Sequence, residues 1–348
     1  MEFSELIAKI GKGQKTSKDL TWEEAKQAMR LLVEGKATPA QVGAFLLSMR
    51  MKVESVAELA ACTAAAREYV SPLRAPKERP LVDLPCYAGK RDTFHAAIGA
   101  ALVASAAGAA VLMHGQEGIP GRPGPGPVLA QLGLPVELDA TGASEALARS
   151  GFAYVDIALY HPPLGRLLDL RHELGVRTIV QPIAKLLNPA RAKSVVIGLT
   201  HPPYLDKFPE VLKMLGTPRG LILRGVEGDP ELSIASVTKL TELRDDRTLP
   251  LSLAPKDANL PPGTPQDMAG FPAGQAEREA ALLTRILRNE VPGGPRDWVV
   301  FNAALLLYAA GLASSIAAGV PTAANTLVSG AAAKHLDALA LRPAPATP

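Results

Sequence analysis

The chain has 348 residues, of which 47% are hydrophobic and 20% are charged, and its formal net charge is +3. This composition excludes an intrinsically disordered protein, and the length is sufficient for a large core divided between two lobes. A charge of +3 does not by itself indicate a nucleic-acid partner. Two cysteines, Cys62 and Cys86, cannot form a disulfide framework, and the sequence begins without a secretory signal pattern, so we expect a cytoplasmic protein.

The first seventy residues predict helices alone. Thr21, Thr38 and Ser55 each suit the N-cap of a helix, because a hydroxyl at that position accepts a hydrogen bond from the first turn. We therefore expect residues 1–72 to form a small all-helical lobe. Prolines make the following stretch, 72–80, a stiff connector to the rest of the chain.

From residue 80 onward, short apolar runs alternate with helical segments, which predicts a large α/β lobe with a mostly parallel central sheet. This lobe comprises residues 80–160 and 191–340. A long apolar stretch, 96–113, is divided by Gly108 and predicts a buried helix followed by a strand, not a membrane span. The predicted strands are 81–84, 109–114, 152–158, 195–199 and 220–224.

Three segments depart from this alternation. Residues 161–190 have helical periodicity, and we expect them to pack onto the helical lobe. A Pro- and Gly-rich loop of about twenty-five residues is expected after Leu249, which is long for a compact domain. The Pro- and Ala-rich tail, residues 341–348, predicts disorder.

Five collinear segments carry a resemblance to a known family. They are residues 37–52, 159–162, 170–178, 187–189 and 302–308. In sequence and order they resemble the anthranilate phosphoribosyltransferases across nearly the whole chain. The resemblance implies a fold of the nucleoside phosphorylase and phosphoribosyltransferase class. In that fold a small helical lobe dimerises, and phosphoribosyl pyrophosphate binds between it and the large α/β lobe.

The first phosphate-binding motif of that family is altered in this chain. In the family, a G-T-G-G-D loop cradles the pyrophosphate with unhindered backbone N–H groups. The corresponding residues, 86–90, retain Gly89, but Lys90 replaces the acidic residue. Ala97 replaces the hydroxyl-bearing residue that would help to hold magnesium.

The second and third motifs are altered as well. The family's K-H-G-N-R strand end keeps His114 and Gly115, but Glu117 replaces its arginine. Pro230 replaces the first member of the Asp-Glu pair that binds magnesium, and Glu231 remains as a residual acidic ligand. We therefore predict no cofactor, with Mg²⁺ needed only if transferase activity remains, and no phosphoribosyl transfer to anthranilate.

The resemblance also implies a pocket for an aromatic acid. His161 and Arg171 fall where the family lines that pocket. Together with Gly89, His114 and Gly115 they form the predicted residual substrate pocket. The alternative for His161 and Arg171 is an ordinary structural role, in which each side chain is solvated or paired.

Basic residues cluster in the middle of the sequence. No acidic residue occurs between Glu173 and Asp206, and the altered glycine loop adds two cations. Since a phosphodiester backbone requires only cations spaced along a groove, this clustering favours nucleic-acid binding without sequence preference. An ordinary solvated basic face is the alternative. The predicted nucleic-acid-binding residues are Lys90, Arg91, Arg177, Lys185, Arg191 and Lys193.

Three short motifs, residues 10–13, 84–87 and 183–186, resemble a TrpD-like or YbiB-like branch of the family that binds nucleic acid. The leading hypothesis is therefore a homodimeric, nonspecific binder of single- or double-stranded nucleic acid. A transferase of a phosphoribosyl or other glycosyl group is the second hypothesis, because the cations of the altered loop could bind phosphate directly. A small-molecule sensor that keeps the aromatic-acid pocket is the third.

The predicted dimer depends on the helical lobe. Its apolar residues Leu6, Ile10, Val42, Phe45 and Met49 exceed what one thin helical layer can bury. The family resemblance implies the same interface.

Overall fold

The computed structural model describes residues 2–13, 16–117, 119, 121–272 and 274–340. The tail predicted to be disordered, 341–348, lies outside the described residues. The helices are α1 (Phe3–Ile10), α2 (Trp22–Val33), α3 (Pro39–Lys52), α4 (Val56–Arg67), α5 (Ala96–Ala106), α6 (Gly126–Gln131), α7 (Ala140–Ser150), α8 (Ile157–Tyr160), α9 (Pro162–Asp169), α10 (Arg171–Leu174), α11 (Val180–Leu186), α12 (Tyr204–Met214), α13 (Ala276–Leu287), α14 (Gly294–Ala309), α15 (Ile316–Val328) and α16 (Ala331–Leu339). The strands are β1 (Leu81–Cys86), β2 (Ala110–Gly115), β3 (Phe152–Asp156), β4 (Ser194–Gly198), β5 (Arg219–Leu223), β6 (Thr238–Arg244) and β7 (Arg247–Leu253).

Helices α1–α4 form the amino-terminal lobe, and side-chain caps set the starts of three of them. The hydroxyls of Thr21, Thr38 and Ser55 accept hydrogen bonds from the third residue of the following helix, at N···O distances of 3.2 to 3.3 Å. In each case the side chain of that third residue accepts a hydrogen bond from the N-cap backbone in return. The predicted starts of α2, α3 and α4 are therefore confirmed.

The second lobe is built on a seven-stranded sheet with the order β3-β2-β1-β4-β5-β6-β7. The first five strands in this order pair in parallel, which confirms the predicted fold class. Strands β6 and β7 form an antiparallel hairpin that the sequence patterns do not predict. Its two-residue turn, Asp245-Asp246, has φ values of 49° and 62°, as a tight hairpin turn requires. The predicted loop after Leu249 consequently begins only after β7.

Apolar side chains cover both faces of the sheet, because alternate residues of a strand point in opposite directions. On β2, Val111 and Met113 lie in one apolar cluster with α5 and α14. Ala110 and Leu112 lie in a second cluster, which also holds the buried residues of α1–α4 and of segment 161–190. The two lobes therefore share one of the two cores. None of the described helices is long and apolar enough to cross a membrane.

The apolar residues predicted to mediate a dimer lie mostly inside one protomer. Leu6, Ile10, Phe45 and Met49 are each at most 1% exposed, and Val42 is half-buried. A single helical lobe buries them because α1 packs across α3, and Phe3 stacks near Phe45 at a ring distance of 5.3 Å. That argument for dimerisation is wrong, and the dimer itself stays a prediction.

Candidate functional site

The loops that follow β1, β2, β4 and β5 meet at the carboxyl edge of the sheet, where α/β proteins commonly bind ligands. In the loop after β1, three successive backbone N–H groups point to one carboxylate. Glu227 accepts hydrogen bonds from the N–H groups of Arg91, Asp92 and Thr93 at 2.8, 3.1 and 2.9 Å. It also accepts one from the Thr93 hydroxyl at 2.7 Å. Such a run of N–H groups is an anion-binding nest, and here the protein's own carboxylate fills it.

The rest of this loop is also occupied by the protein. Arg122 donates from Nε to the carbonyl of Ala88 at 3.0 Å and from Nη2 to the Glu227 carboxylate at 3.2 Å. The N–H of Lys90 donates to a carbonyl of the neighbouring loop at 3.0 Å. Gly89 has a φ of +66°, and a Cβ there would lie 2.3 Å from the carbonyl oxygen of Arg122. Gly89 is therefore needed for the packing of two loops.

Lys90, which the sequence predicts to bind nucleic acid, lies inside the protein. Its side chain is 2% exposed, and its Nζ forms an ion pair with Glu231, which is fully buried. Nζ also donates to the Thr93 hydroxyl at 3.2 Å, and the second carboxylate oxygen of Glu231 accepts from Ala97 N at 2.9 Å. Burial works against the ammonium, but the charges of Glu231 and Asp229 outweigh it and raise the pKa of Lys90. Lys90 is therefore a buried structural cation.

The residues at this position do not fit a magnesium ion. Glu231 is neutralised by Lys90, Pro230 has no ligand atom in its side chain, and Asp229 accepts a hydrogen bond from Ala88 N at 3.3 Å. In the described part of the chain, no three His, Cys, Asp or Glu side chains converge into a site built from protein ligands alone.

The loop after β2 repeats the pattern of internal occupation. The Glu117 carboxylate accepts hydrogen bonds from Gly124 N and Gly126 N at 3.1 and 2.8 Å, and from the Tyr154 hydroxyl at 3.2 Å. A Cβ at Gly115 would lie 2.7 Å from the carbonyl oxygen of Cys86. A second set of backbone donors is thus satisfied by a carboxylate of the same chain.

Two histidines predicted to line a substrate pocket are fully buried and structural. His114 lies between the Asp83 carboxylate, 3.2 Å from Nε2, and the Tyr87 hydroxyl, 2.9 Å from Nδ1. His161 Nε2 lies 2.9 Å from the carbonyl of Ala66, and burial lowers the pKa of His161. The structural alternative therefore applies to His161, and the contacts of His114 give it a structural role as well.

Arg171, in contrast, lines a cavity of about 510 Å³ between the lobes. Arg50 and Arg177 line the same cavity. Arg50 Nη1 donates to the Arg177 carbonyl at 2.5 Å, and Arg177 Nη1 donates to Thr200 Oγ1 at 3.3 Å. Burial lowers the pKa of Arg177, and the positive charges of Arg171, Arg122 and Arg50 lower it further. Within the described residues, none of Arg50, Arg171 and Arg177 has a carboxylate within 4.0 Å.

The other predicted nucleic-acid-binding residues do not join this cluster in one groove. Lys185 is half-buried at the cavity wall, where Nζ donates to the carbonyls of Gly198 and Gly228 at 2.6 and 2.8 Å, and loss of solvent around the ammonium lowers its pKa to about 8. Arg191 and Lys193 are exposed and precede β4, so they lie at the opposite edge of the sheet. Arg91 is exposed on the loop after β1. The expectation of one groove lined by all six residues is therefore wrong.

Several residues of the site cannot be found from the sequence patterns. Glu227 is 136 residues from Arg91 along the chain, so no local pattern connects the carboxylate with the N–H groups that it fills. Arg50 lies in a segment whose pattern predicts a helix, and Arg122 lies in the Pro- and Gly-rich loop after β2, so neither pattern indicates a binding residue. The loss of family glycines is the one signal that could have prompted a search for an internal anion.

Comparisons with known proteins agree with this architecture. Residues 4–70 match the helical bundle domain of a glycosyl transferase family, and residues 79–333 match the a/b domain of that family. The chain is 34% identical over 337 residues to the anthranilate phosphoribosyltransferase of Anaeromyxobacter sp. (strain K), with 97% of each chain covered. The chain belongs to the anthranilate phosphoribosyltransferase family. The corresponding enzyme of Acetivibrio thermocellus is 32% identical over 336 residues, which cover 95% of this chain and 94% of the relative.

Solved structures of this family have the same fold. The crystal structure of anthranilate phosphoribosyltransferase (TrpD) from Thermus thermophilus matches with a TM-score of 0.85 and 31% identity, covering 97% of this chain and 98% of that one. The Saccharomyces cerevisiae enzyme in complex with PRPP and Mg matches with a TM-score of 0.83 at 18% identity, covering 97% of this chain and 96% of that one, a likeness of fold alone. The chain therefore has the fold of this family, and its own carboxylates occupy the loops that follow β1 and β2.

Proposed function

We propose that this family member has lost phosphoribosyl transfer and binds nucleic acid, without sequence preference, at the mouth of the cleft between its lobes. One observation carries the proposal: Arg50, Arg171 and Arg177 converge on the cleft without acidic partners among the described residues. Mutual repulsion of these cations is relieved by an anion. A phosphodiester backbone supplies anions in series and needs neither a metal nor an N–H cradle.

The loop contacts argue against the reaction named for the relatives. A departing pyrophosphate requires preorganised donors and positive charge where its own negative charge develops. The donors at residues 91–93 are directed to Glu227, and the ammonium of Lys90 is directed to Glu231. A substrate would have to displace both carboxylates, so transfer at an enzymatic rate is not expected.

The array differs in membership from the one predicted by the sequence. Of the six predicted residues the array keeps Arg177, and it gains Arg50 and Arg171. Arg91 does not line the cavity, and Lys185 has a structural role. Aromatic residues make up 4% of the chain, so contacts to the phosphate backbone dominate over base stacking. Binding is therefore expected to be nonspecific, to either single or double strands.

We infer that the functional unit is a homodimer in the cytoplasm, formed through the helical lobe. The support is Leu47 on α3, whose apolar side chain is 46% exposed. Met51, one turn further along the helix, lines the cleft cavity instead. A dimer would hold two clefts on one particle, which increases the effective affinity for a long polyanion.

The decisive experiment is a fluorescence anisotropy titration of random-sequence single- and double-stranded oligonucleotides over a range of salt concentrations. On duplex, the slope of log K against log salt is expected to change by about 0.9 for each phosphate contact. The variant Arg50→Ala/Arg171→Ala should flatten the slope by nearly two such steps. The matched control is Arg191→Ala/Lys193→Ala, which removes two exposed cations from the opposite edge of the sheet and should leave the slope unchanged.

Two results would overturn the proposal. The first is failure of the wild-type protein to retain DNA at about 50 mM salt. The second is a salt slope that is the same in the wild type and in Arg50→Ala/Arg171→Ala, provided that thermal melting shows the variant to be folded.

A further inference from the structure

A second cavity, of about 770 Å³, opens on the side of the molecule away from the cleft. Trp22 and Arg67 line it from the helical lobe, whereas Arg191, Lys193 and Met214 line it from the α/β lobe. Residues 191–193 precede β4 and Met214 ends α12, so this cavity lies at the amino edge of the sheet. Its volume is within the usual range for small-molecule sites.

The guanidinium of Arg67 is the innermost cation of this cavity. Nη2 donates to the carbonyl of Leu186 at 2.7 Å, while Nε is buried and has no hydrogen-bond partner among the described residues. Burial lowers the pKa of Arg67 to about 10; the Asp83 carboxylate opposes this decrease and the charge of Arg191 adds to it. A buried donor without a partner is uncommon, because it costs free energy unless another group satisfies it.

The positive charge of the cavity is not balanced by the acid that borders it. Glu68 is the acidic residue that lines the cavity. Its carboxylate already accepts two hydrogen bonds from Arg30, at 2.7 Å each, and forms an ion pair with Lys26 at 3.2 Å. Arg67, Arg191 and Lys193 therefore present an excess of positive charge, and no carboxylate lies within 4.0 Å of any of them in the described chain.

We propose that this cavity binds a small phosphorylated molecule with a flat apolar body. Arg67, Arg191 and Lys193 hold the phosphate, since guanidinium and ammonium groups form short charge-assisted hydrogen bonds with its oxygens. The apolar body lies against the Trp22 indole and the Met214 side chain, which is 48% exposed in the free protein. This site is separate from the proposed nucleic-acid cleft, and neither proposal depends on the other.

A ligand here would join the two lobes. Trp22 and Arg67 belong to one lobe, and the loop before β4 belongs to the other. Binding is therefore expected to raise the melting temperature with ligand concentration, as for any ligand that binds only the folded state.

The test is calorimetric titration of the full chain with phenyl phosphate and with inorganic phosphate at fixed ionic strength. Both should bind, and phenyl phosphate should bind more tightly. Arg191→Ala/Lys193→Ala should weaken both by about tenfold or more, since it removes charge-assisted contacts at exposed positions that the fold does not need. Trp22→Leu should remove the preference for phenyl phosphate and leave inorganic phosphate unaffected.

The titrations are repeated in Arg50→Ala/Arg171→Ala, which removes the cleft cations that also attract phosphate, and the binding that remains is assigned to this cavity. The matched control is Lys239→Ala/Lys256→Ala, which removes two exposed cations outside both cavities and should leave the binding of phenyl phosphate unchanged. Three results would overturn the proposal: no binding at millimolar concentrations, equal affinity in the wild type and in Arg191→Ala/Lys193→Ala, or loss of binding in the cleft variant alone. A negative result with DNA would not change the result expected in this titration, and a negative titration would not change the result expected with DNA.

Discussion

Lys90 and Glu231 form an ion pair from which water is excluded, with side chains 2% and 0% exposed. The Lys90 Nζ also lies 5.5 Å from the centre of the Trp298 ring. Because both charges are buried, this pair has a structural role. Removing one charge of such a pair leaves the other buried without compensation.

Replacement of Lys90 by Met should therefore lower the free energy of unfolding by about 3–5 kcal/mol. The double variant Lys90→Met/Glu231→Leu should be more stable than the sum of the two single changes predicts, because no charge remains unpaired. Chemical denaturation of the four proteins measures this coupling. Lys36→Met, at a pair whose lysine is 64% exposed, serves as the control and should leave stability unchanged. Additive effects of the two buried substitutions would contradict the prediction.

His95 should make the stability depend on pH. Its Nδ1 lies 2.7 Å from Glu279 Oε1 and its Nε2 lies 3.2 Å from the Pro123 carbonyl, so both ring nitrogens face acceptors. Burial opposes the charged ring, but the Glu279 carboxylate outweighs burial and raises the pKa of His95 above its ordinary 6.5. A histidine whose pKa is higher in the folded state stabilises the protein fully below pH 6.5. That contribution is lost as pH rises through the folded-state pKa.

The measurement is the free energy of unfolding between about pH 5 and pH 9 for the wild type and for Glu279→Gln. The stability difference between the two should be largest at the acidic end and should shrink as pH rises. His172→Gln, at an exposed histidine, should follow the wild-type curve. A difference that grows with pH would show that the sign is wrong.

The fold was predictable from this sequence because its signals are local. N-caps such as Thr21 and Thr38 act within four residues, and the apolar runs of the parallel strands are continuous. The hairpin of β6 and β7 was missed because Asp245 and Asp246 adopt positive φ without glycine. Alternating strand residues beside an Asp-Asp pair predict a hairpin less strongly than the same residues beside Asn-Gly.

The site was less predictable because its contacts are long-range. Composition and spacing predict Lys90 and Lys185 on a basic surface, yet Lys90 is buried and Lys185 is half-buried, and each ammonium contacts residues more than ten positions away in sequence. From the sequence alone, a lysine whose methylene groups and ammonium contact buried groups cannot be distinguished from a lysine that is exposed to solvent. The replaced glycine and acidic residues of the family's loops can be identified from the sequence, whereas the loss of phosphate binding that they imply stays a prediction.

The proposed dimer can be tested on α3. Leu47 is 46% exposed there, and Leu312 in the other lobe is 45% exposed and serves as the matched control. Sedimentation at micromolar concentration should give a dimer for the wild type and for Leu312→Glu, but a monomer for Leu47→Glu, because burying an unpaired carboxylate in an apolar interface is unfavourable. A wild-type monomer, or a dimer insensitive to Leu47→Glu, would exclude this interface.

Glu227 offers the most direct test of the proposal that the loop after β1 is closed to phosphate. Its carboxylate accepts from three successive N–H groups and from Arg122. Burial opposes the negative charge, but the hydrogen bond from the Thr93 hydroxyl, the charge of Lys90 and the N–H groups of Arg91 and Asp92 outweigh burial and lower the pKa of Glu227. The substitution Glu227→Ala frees those donors without adding a side chain. Inorganic pyrophosphate should then bind at least about tenfold more tightly than to the parent protein. Both proteins should carry Arg191→Ala/Lys193→Ala, so that the second cavity does not contribute. Glu227→Gln keeps one acceptor oxygen and should give an intermediate gain in pyrophosphate affinity.

Neither the wild type nor Glu227→Ala should transfer a phosphoribosyl group to anthranilate at roughly one turnover per second or faster, because Lys90 still neutralises Glu231 where the reaction needs a metal ligand. Turnover at that rate by the wild type would overturn the claim that the loop is closed, and unchanged pyrophosphate affinity in Glu227→Ala would show that another group blocks it.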